Sequence, residues 1–102
     1  SNSAILDAVK FMESHVADPV NLSDLAFSAG VSERQLNRLF QQKLGRSTMG
    51  YYRDLRLDKA RNLLTNSSLP LTEIAYATGF ANSSHFSRLF SQYFGRAPSS
   101  FR

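Results

Sequence analysis

The feature that most constrains the fold of this chain is an internal repeat. Residues 22–30 (LSDLAFSAG) match residues 71–79 (LTEIAYATG) at an offset of 49. Residues 38–46 (RLFQQKLGR) match residues 88–96 (RLFSQYFGR) at an offset of 50, so the second copy carries one inserted residue between its two blocks. Two copies are too few for a solenoid, which generally needs three or more units. The repeat therefore predicts two small lobes built on one motif.

Each copy has the pattern of a short helix, a corner and a longer helix. In the first copy Asn21 is expected to cap the short helix and Gly30 to end it, because glycine tolerates the left-handed geometry of a tight corner. Ser32 is expected to cap the longer helix and Gly45 to end it. The inner face of that helix is predicted to contain Leu36, Leu39, Phe40 and Leu44. This order of elements is typical of a helix-turn-helix unit.

Two more helices complete the predicted all-α domain, one before the first copy and one between the copies. A first helix, with apolar residues Ile5, Val9, Met12 and Val16 at helical spacing, is expected to end at Asp18-Pro19. Ser47 is expected to cap a long helix reaching about Thr65, and Pro70 suits the first turn of the next one. The predicted packing positions of the long helix are Tyr51, Leu55, Ala60, Leu63 and Leu64.

The predicted boundaries follow from these helices. The domain is expected to span residues 4–102, with a first lobe at 4–47, a linking helix at 48–65 and a second lobe at 66–102. Residues 1–3 are interpreted as a cloning remnant. The Phe, Leu and Tyr positions are assigned to the core rather than to a platform for stacked bases.

Composition excludes several classes of function. The 102 residues include no cysteine, so disulfides and thiolate metal sites are excluded. The two histidines, His15 and His85, belong to no metal-ligand or catalytic pattern, and no glycine-rich phosphate loop is present. We therefore predict no catalytic residues, no metal and no cofactor. A net charge of +4, with no acidic residue after Glu73, favours a polyanionic partner.

The outer face of the longer helix in the first copy carries side chains that read DNA bases. Arginine pairs with guanine, asparagine and glutamine pair with adenine, and all three also donate to phosphates. We predict base contacts from Arg34, Asn37 and Arg38, and phosphate contacts from Gln41 and Arg46. The alternative is an ordinary solvated helix face, which the recurrence of Arg38 as Arg88 makes less favourable.

The corresponding face in the second copy is smaller and less charged. Base contacts are predicted from Ser84, His85 and Arg88, with a cap or surface role as the alternative for His85. Phosphate contacts are predicted from Asn82, Ser83, Ser87 and Arg96, and Asn82 is also placed to cap the helix. For Arg56, on the long helix, a structural role is favoured over DNA contact.

The two repeats, together with residues 79–90 (GFANSSHFSRLF) and 94–98 (FGRAP), resemble the AraC/XylS family of bacterial transcription regulators. The resemblance covers essentially the whole chain. It implies a seven-helix domain of two homeodomain-like lobes, whose recognition helices enter successive major-groove segments of double-stranded DNA. The same positions, Arg34, Asn37, Arg38, Ser84, His85 and Arg88, would then contact the grooves.

The resemblance also implies features beyond this domain. Most family members carry an effector-binding or dimerisation domain ahead of it, so the chain is expected to be part of a longer regulator. Residues 34–40 and 51–53 resemble members whose first half is an amidotransferase-like domain. RNA polymerase is an expected partner, the bacterial cytoplasm and nucleoid are the expected location, and the isolated domain is expected to be monomeric.

Two other classes of binding protein are considered. A helical protein-interaction module should expose an apolar patch instead of a face of Arg, Asn and Gln. An RNA-binding domain would share the positive charge, but side chains do not read the deep, narrow major groove of RNA. Sequence-specific binding of double-stranded DNA is therefore the favoured function.

Overall fold

The computed structural model describes residues 2–102, and all regular structure in this range is helical. The elements are α1 (Asn2–Glu13), α2 (Leu22–Ala29), α3 (Glu33–Leu44), α4 (Thr48–Asn66), α5 (Leu71–Ala77), α6 (Ser83–Phe94) and a 3-10 helix (Pro98–Phe101). The predicted all-α class is confirmed. The implied count of seven helices is wrong by one within residues 2–102, because the last element is only a four-residue 3-10 turn. Residue 1, part of the interpreted cloning remnant, lies outside the described residues.

Side-chain caps fix the start of both helices in the first copy. The Asn21 Oδ1 accepts a hydrogen bond from the Asp24 N–H at 2.9 Å, and the Ser32 Oγ accepts from the Gln35 N–H at 3.1 Å. Both predicted caps are confirmed. Gly30 and Gly45 end α2 and α3 with φ of 71°, a left-handed geometry that residues with a Cβ rarely adopt.

The corner between the two helices of the motif is the same in both copies. In the first, the Val31 N–H donates to the Ala26 carbonyl at 3.2 Å. In the second, the Phe80 N–H donates to the Ala75 carbonyl at 2.9 Å. The inserted residue of the second copy follows this corner, as Ala81, so the insertion lengthens the approach to α6 without altering the turn.

The chain forms two compact units that divide within α4. The first unit contains the residues up to His15 together with Pro19–Arg53, and the second contains Val16–Asp18 and Asp54–Arg102. The amino-terminal part of α4 therefore belongs to the first unit and the remainder to the second. Each unit contains one copy of the repeated motif.

The core of the first unit is built by α1, α2, α3 and the start of α4. Its buried apolar residues are Ala4, Ala8, Met12, Leu25, Ala26, Leu36, Leu39, Phe40 and Tyr52. The prediction for α3 was wrong at Leu44, which is 40% exposed in the last turn. On α4 the predicted packing positions missed two buried residues, Tyr52 in the first unit and Leu57 in the second, and named the half-buried Tyr51 and Leu55 instead.

Helix α1 is shorter than predicted. It ends at Glu13 and not at Asp18-Pro19. The Ser14 hydroxyl donates to the Lys10 carbonyl at 3.1 Å, and the His15 N–H donates to the Met12 carbonyl at 3.0 Å. These local donors satisfy carbonyls of the last turn, so the helix ends well before the proline acts on the backbone.

The core of the second unit is rich in phenylalanine. It comprises Leu57, Ala60, Leu64, Ile74, Ala75, Phe80, Phe86 and Phe90. The Phe90 and Phe101 rings lie 5.4 Å apart, and the equivalent pair of the first unit, Phe40 and Tyr51, lies 5.5 Å apart. The repeat thus extends past the helix-turn-helix motif to the aromatic residue that covers it.

Among the aromatic residues that depart from the assignment of Phe, Leu and Tyr to the core, two are largely exposed. Phe27 on α2 is 89% exposed, and Tyr76 on α5 is 65% exposed. They occupy equivalent positions of the repeat, at the offset of 49. The assignment was wrong for this position because the inner faces of the two short helices are filled by neighbouring Leu25, Ala26, Ile74 and Ala75.

Candidate nucleic-acid interface

Helix α3 has one face buried in its unit and one face open to solvent. Leu36, Leu39 and Phe40 are buried, which fixes the orientation of the helix in its unit. Arg34, Arg38 and Gln41 are exposed on the remaining surface. The side chains predicted to contact DNA from these three positions are thus accessible to a ligand. An arginine and glutamine face of this kind fits the donor and acceptor pattern of the major groove.

The guanidinium of Arg38 has a partner on its own helix. Its Nη2 donates a hydrogen bond to the Oε1 of Gln35, one turn earlier. Gln35 is half-buried and its backbone N–H is held by the Ser32 cap. The outer face of α3 therefore presents an arginine whose direction is restricted by a neighbouring amide.

Asn37 has a structural partner in the next helix. Its Oδ1 accepts a hydrogen bond from the backbone N–H of Thr48, the first residue of α4, at 3.1 Å. Asn37 is half-buried and Thr48 is fully enclosed. A bidentate contact with adenine would need both the amide nitrogen and the second lone pair of this oxygen. The bond to Thr48 uses one lone pair only, so it restricts the direction of the Asn37 amide and with it the predicted base contact.

The second copy has no asparagine at the position of Asn37, and it also lacks the backbone donor that Asn37 binds. At the offset of 50, Ser87 replaces Asn37 and Pro98 replaces Thr48. Proline has no backbone N–H, so the first turn of the 3-10 helix needs no acceptor from α6 at that point. The pair of differences indicates that the amide of Asn37 is present for the Thr48 N–H.

Helix α6 repeats the two-faced arrangement with smaller polar residues. Phe86 and Phe90 are fully buried, while Ser84, His85 and Arg88 are exposed. Ser83 and Ser87, predicted to contact phosphates, are half-buried. The Oδ1 of Asn82 accepts from the His85 N–H at 2.7 Å, which confirms its capping role and occupies the oxygen.

Arg88 also has a partner on its own helix. Its Nη2 lies 2.8 Å from the Nδ1 of His85. Arginine has donors only, so the histidine Nδ1 accepts this hydrogen bond. The pair matches Arg38 and Gln35 at the offset of 50.

The arginines after the helix-ending glycines lie against aromatic rings. Arg46 is 5.8 Å from the ring centroid of Tyr51, and Arg96 is 4.2 Å from that of Phe101. Arg96 also donates from Nε to the Ser100 Oγ at 3.0 Å and from Nη2 to the Ser100 carbonyl at 2.8 Å. Both arginines remain exposed, so each combines a local structural contact with the accessibility that a phosphate contact requires.

Arg56 holds the corner of the second motif. Its Nη1 donates to the carbonyls of Thr78 and Gly79 at 3.1 and 3.0 Å. Its guanidinium carbon lies 4.3 Å from the ring centroid of Phe80. These contacts confirm the structural interpretation of Arg56, because they tie α4 to the turn that orients α6.

Sequence reasoning missed Gln35 as a member of this surface. The usable signal was the spacing, since Gln35 precedes Arg38 by three residues and His85 precedes Arg88 by three. This spacing places the two partners of each pair on one side of their helix.

Within residues 2–102, no cluster of three or more His, Asp and Glu side chains is arranged to hold a metal ion. No helix in that range has the length and apolar character needed to cross a membrane.

Comparison with protein families and curated proteins gives a consistent assignment. A family model described as a helix-turn-helix domain matches residues 25–102. The HTH-type transcriptional regulator GlxA of Rhizobium meliloti is 41% identical over 102 residues, covering 100% of this chain. The chain spans only 32% of the length of that relative.

Two solved structures have the same fold. A transcriptional regulator of the AraC-type DNA-binding domain class from Chromobacterium violaceum superposes with a TM-score of 0.96 at 39% identity, covering 99% of this chain and 90% of the other. The DNA-binding domain of AdpA, solved in complex with a target DNA, has a TM-score of 0.88 and covers 97% of this chain and 89% of its own. At 22% identity, the second likeness concerns the fold alone.

Proposed function

This chain belongs to the AraC/XylS family of helix-turn-helix transcriptional regulators, and we propose that it binds double-stranded DNA sequence-specifically through α3 and α6. In this proposal the two helices are recognition helices, each entering a major-groove segment. Arg34 and Arg38 are the principal base contacts of the first unit, and Arg88 is that of the second. The domain acts in transcription and carries out no catalysis.

One observation carries this proposal. In each unit, a helix-turn-helix motif buries the apolar face of its second helix and leaves an arginine exposed at the same position, Arg38 in α3 and Arg88 in α6. Arginine at such a position is the side chain that most often makes specific contacts with guanine. The absence of acidic residues after Glu73 favours approach of the second unit to the phosphate backbone.

The form of the DNA site follows from the order of the two motifs. Both copies run in the same direction along one chain, so a monomer would meet two different half-elements and not a palindrome. We expect the half-elements to be about one helical turn apart, roughly 34 Å along the duplex. Selection of bound sequences from a random duplex pool, followed by footprinting, tests this arrangement.

The decisive variant is Arg38→Ala. We expect it to weaken binding of the selected site by about 1–3 kcal/mol and to relax the preference at one base pair, because a bidentate contact is lost. Lys10→Ala removes the same charge from the exposed surface of α1 and serves as the control, with discrimination unchanged. If Arg38→Ala weakens selected and random duplexes equally, the residue contacts only phosphates.

Competition with other polyanions tests the class of ligand. Duplex DNA should displace the bound site far better than RNA or heparin at moderate salt, since only duplex DNA offers a readable major groove. Retention of RNA alone would overturn the proposal.

Further parts of the function concern a longer protein. Since its curated relative GlxA is about three times as long, we propose that this domain works within a regulator that also carries an effector-binding or dimerisation domain, amidotransferase-like in this subgroup. RNA polymerase is the proposed protein partner in the bacterial cytoplasm. In vitro transcription with purified polymerase tests this partner.

A further inference from the structure

We propose that Gln35 and His85 are positioning residues, which aim the base-reading guanidinium groups of Arg38 and Arg88. This inference rests on the proposed function and deepens it. It assigns to His85 a role that acts through Arg88, in place of a direct contact with a base.

The observation is a chain of two hydrogen bonds that links three residues in each unit. In the second unit, the Asn82 side chain accepts from the backbone N–H of His85 at 2.7 Å, and the His85 ring accepts from Arg88 at 2.8 Å. In the first unit, the Ser32 hydroxyl accepts from the Gln35 N–H at 3.1 Å, and the Gln35 amide oxygen accepts from Arg38. Cap, acceptor and arginine follow at intervals of three residues in both units.

The chemistry of the chain is shared although the residues differ. The cap is serine in one unit and asparagine in the other, and the acceptor is the amide oxygen of Gln35 or the imidazole Nδ1 of His85. The guanidinium has five N–H donors and no acceptor, so the side chain that holds it must supply a lone pair. In both units, therefore, the residue one turn before the arginine supplies a hydrogen-bond acceptor to it.

The geometry leaves the arginine able to read a base. One N–H of Nη2 is used by the acceptor, which leaves four of the five donors for DNA. Arg38 and Arg88 are exposed and would otherwise sample many rotamers, and arginine carries about 2 kcal/mol of rotamer entropy. Fixing the side chain before binding removes part of that cost, so the positioning residue raises affinity only where the arginine meets its base.

The test measures base discrimination, defined as the affinity for the selected duplex divided by that for a duplex changed at one base pair. The base pair that Arg88 reads is identified as the one whose discrimination is lost in Arg88→Ala. The variants His85→Ala, His85→Gln and the double variant His85→Ala/Arg88→Ala are then compared with the wild type at that base pair. Gln92→Ala, an exposed change on the same helix, is the control, and circular dichroism verifies folding of every variant.

We expect His85→Ala to lower discrimination at that base pair by roughly threefold to tenfold, the effect of one modest hydrogen bond. His85→Gln should restore it to within about twofold of the wild type, because it installs the acceptor that the first unit already uses. In the Arg88→Ala background, His85→Ala should cause no further loss. Gln35→Ala should act in the same way at the base pair read by Arg38.

Three results would overturn the inference. A loss at a different base pair that persists without Arg88 would make His85 a direct base contact. Equal damage by His85→Gln and His85→Ala would show that the acceptor is not what matters. Unchanged discrimination in His85→Ala would show that Arg88 needs no support. A wild-type domain that fails to discriminate between duplexes at all would instead refute the proposed function.

Discussion

The hydrogen bond between Asn37 and Thr48 leads to a quantitative prediction about stability. In Asn37→Ser, the Thr48 N–H loses its acceptor within a fully enclosed residue. An unsatisfied buried donor costs about 1–3 kcal/mol, and we expect the lower half of this range, about 1–2 kcal/mol, since the start of a helix allows some relaxation. For a domain of this size, each kcal/mol lowers the melting temperature by roughly 4–8 °C.

The second copy of the repeat supplies the matched background for this experiment. Thr48→Pro removes the donor itself and reproduces the pair that the second unit contains, Ser87 with Pro98. Proline is tolerated at the first position of a helix, where its missing N–H has no intrahelical partner. In that background Asn37→Ser should cost less than about 0.5 kcal/mol, which gives a coupling energy of about 0.5–2 kcal/mol.

Thermal and guanidinium unfolding, followed by far-ultraviolet circular dichroism, measures all four proteins of the cycle. Equal costs of Asn37→Ser in the two backgrounds would refute the reasoning, because the amide would then act on something other than the Thr48 N–H. The same proteins report on DNA. If Asn37 also contacts a base, Asn37→Ser should relax the preference at one base pair even where the domain is fully folded.

Two further predictions concern arginines with structural contacts. Arg56→Ala should destabilise the domain by about 1–3 kcal/mol, because the Thr78 and Gly79 carbonyls lose a charged donor. The control Lys59→Ala, on the same helix, should stay within about 0.5 kcal/mol of the wild type. Equal stability of the two variants would contradict the role of Arg56. Arg96→Ala should lower affinity for all duplexes and flatten the salt dependence of binding. Arg96→Lys should keep the salt dependence but lose the two hydrogen bonds to Ser100 and part of the thermal stability. An unchanged salt dependence in Arg96→Ala would remove this residue from the phosphate contacts.

The local elements of this fold could be predicted from the sequence because their signals are local. Asn21 and Ser32 cap helices through their own side chains, and Gly45 ends α3 through its own backbone freedom. The early end of α1 was not predictable in this way, since Ser14 and His15 compete with the proline signal further along. On α1, periodicity predicted Ile5 and Val9 as packing positions, but these residues are half-buried. The buried residues are their preceding neighbours, Ala4 and Ala8.

The candidate site was predictable in its positions and not in its internal contacts. Helical spacing separated the exposed Arg38 from the buried Leu39 and Phe40. It gave no indication that the amide of Asn37 reaches a backbone N–H eleven residues along the chain, in another helix. The hydrogen bonds of Arg38 to Gln35 and of Arg88 to His85 were also missed. Glutamine and histidine differ in size and chemistry, and each has an acceptor atom as the only property relevant to this contact.

From the differences between the two copies we expect an asymmetric DNA site. Where the recognition helices face their own cores the residues are alike, with Leu36, Leu39 and Phe40 matched by Phe86, Leu89 and Phe90. Where they face outward the residues differ, with the exposed Arg34 matched by Ser84 and the exposed Gln41 matched by Ser91. Packing constrains volume and apolar character, whereas the groove constrains donors and acceptors. The two copies keep the same core positions and one exposed arginine, Arg38 or Arg88, but differ on the rest of the outer face. They are therefore suited to two DNA half-elements that have one base contact in common and differ at the other base pairs.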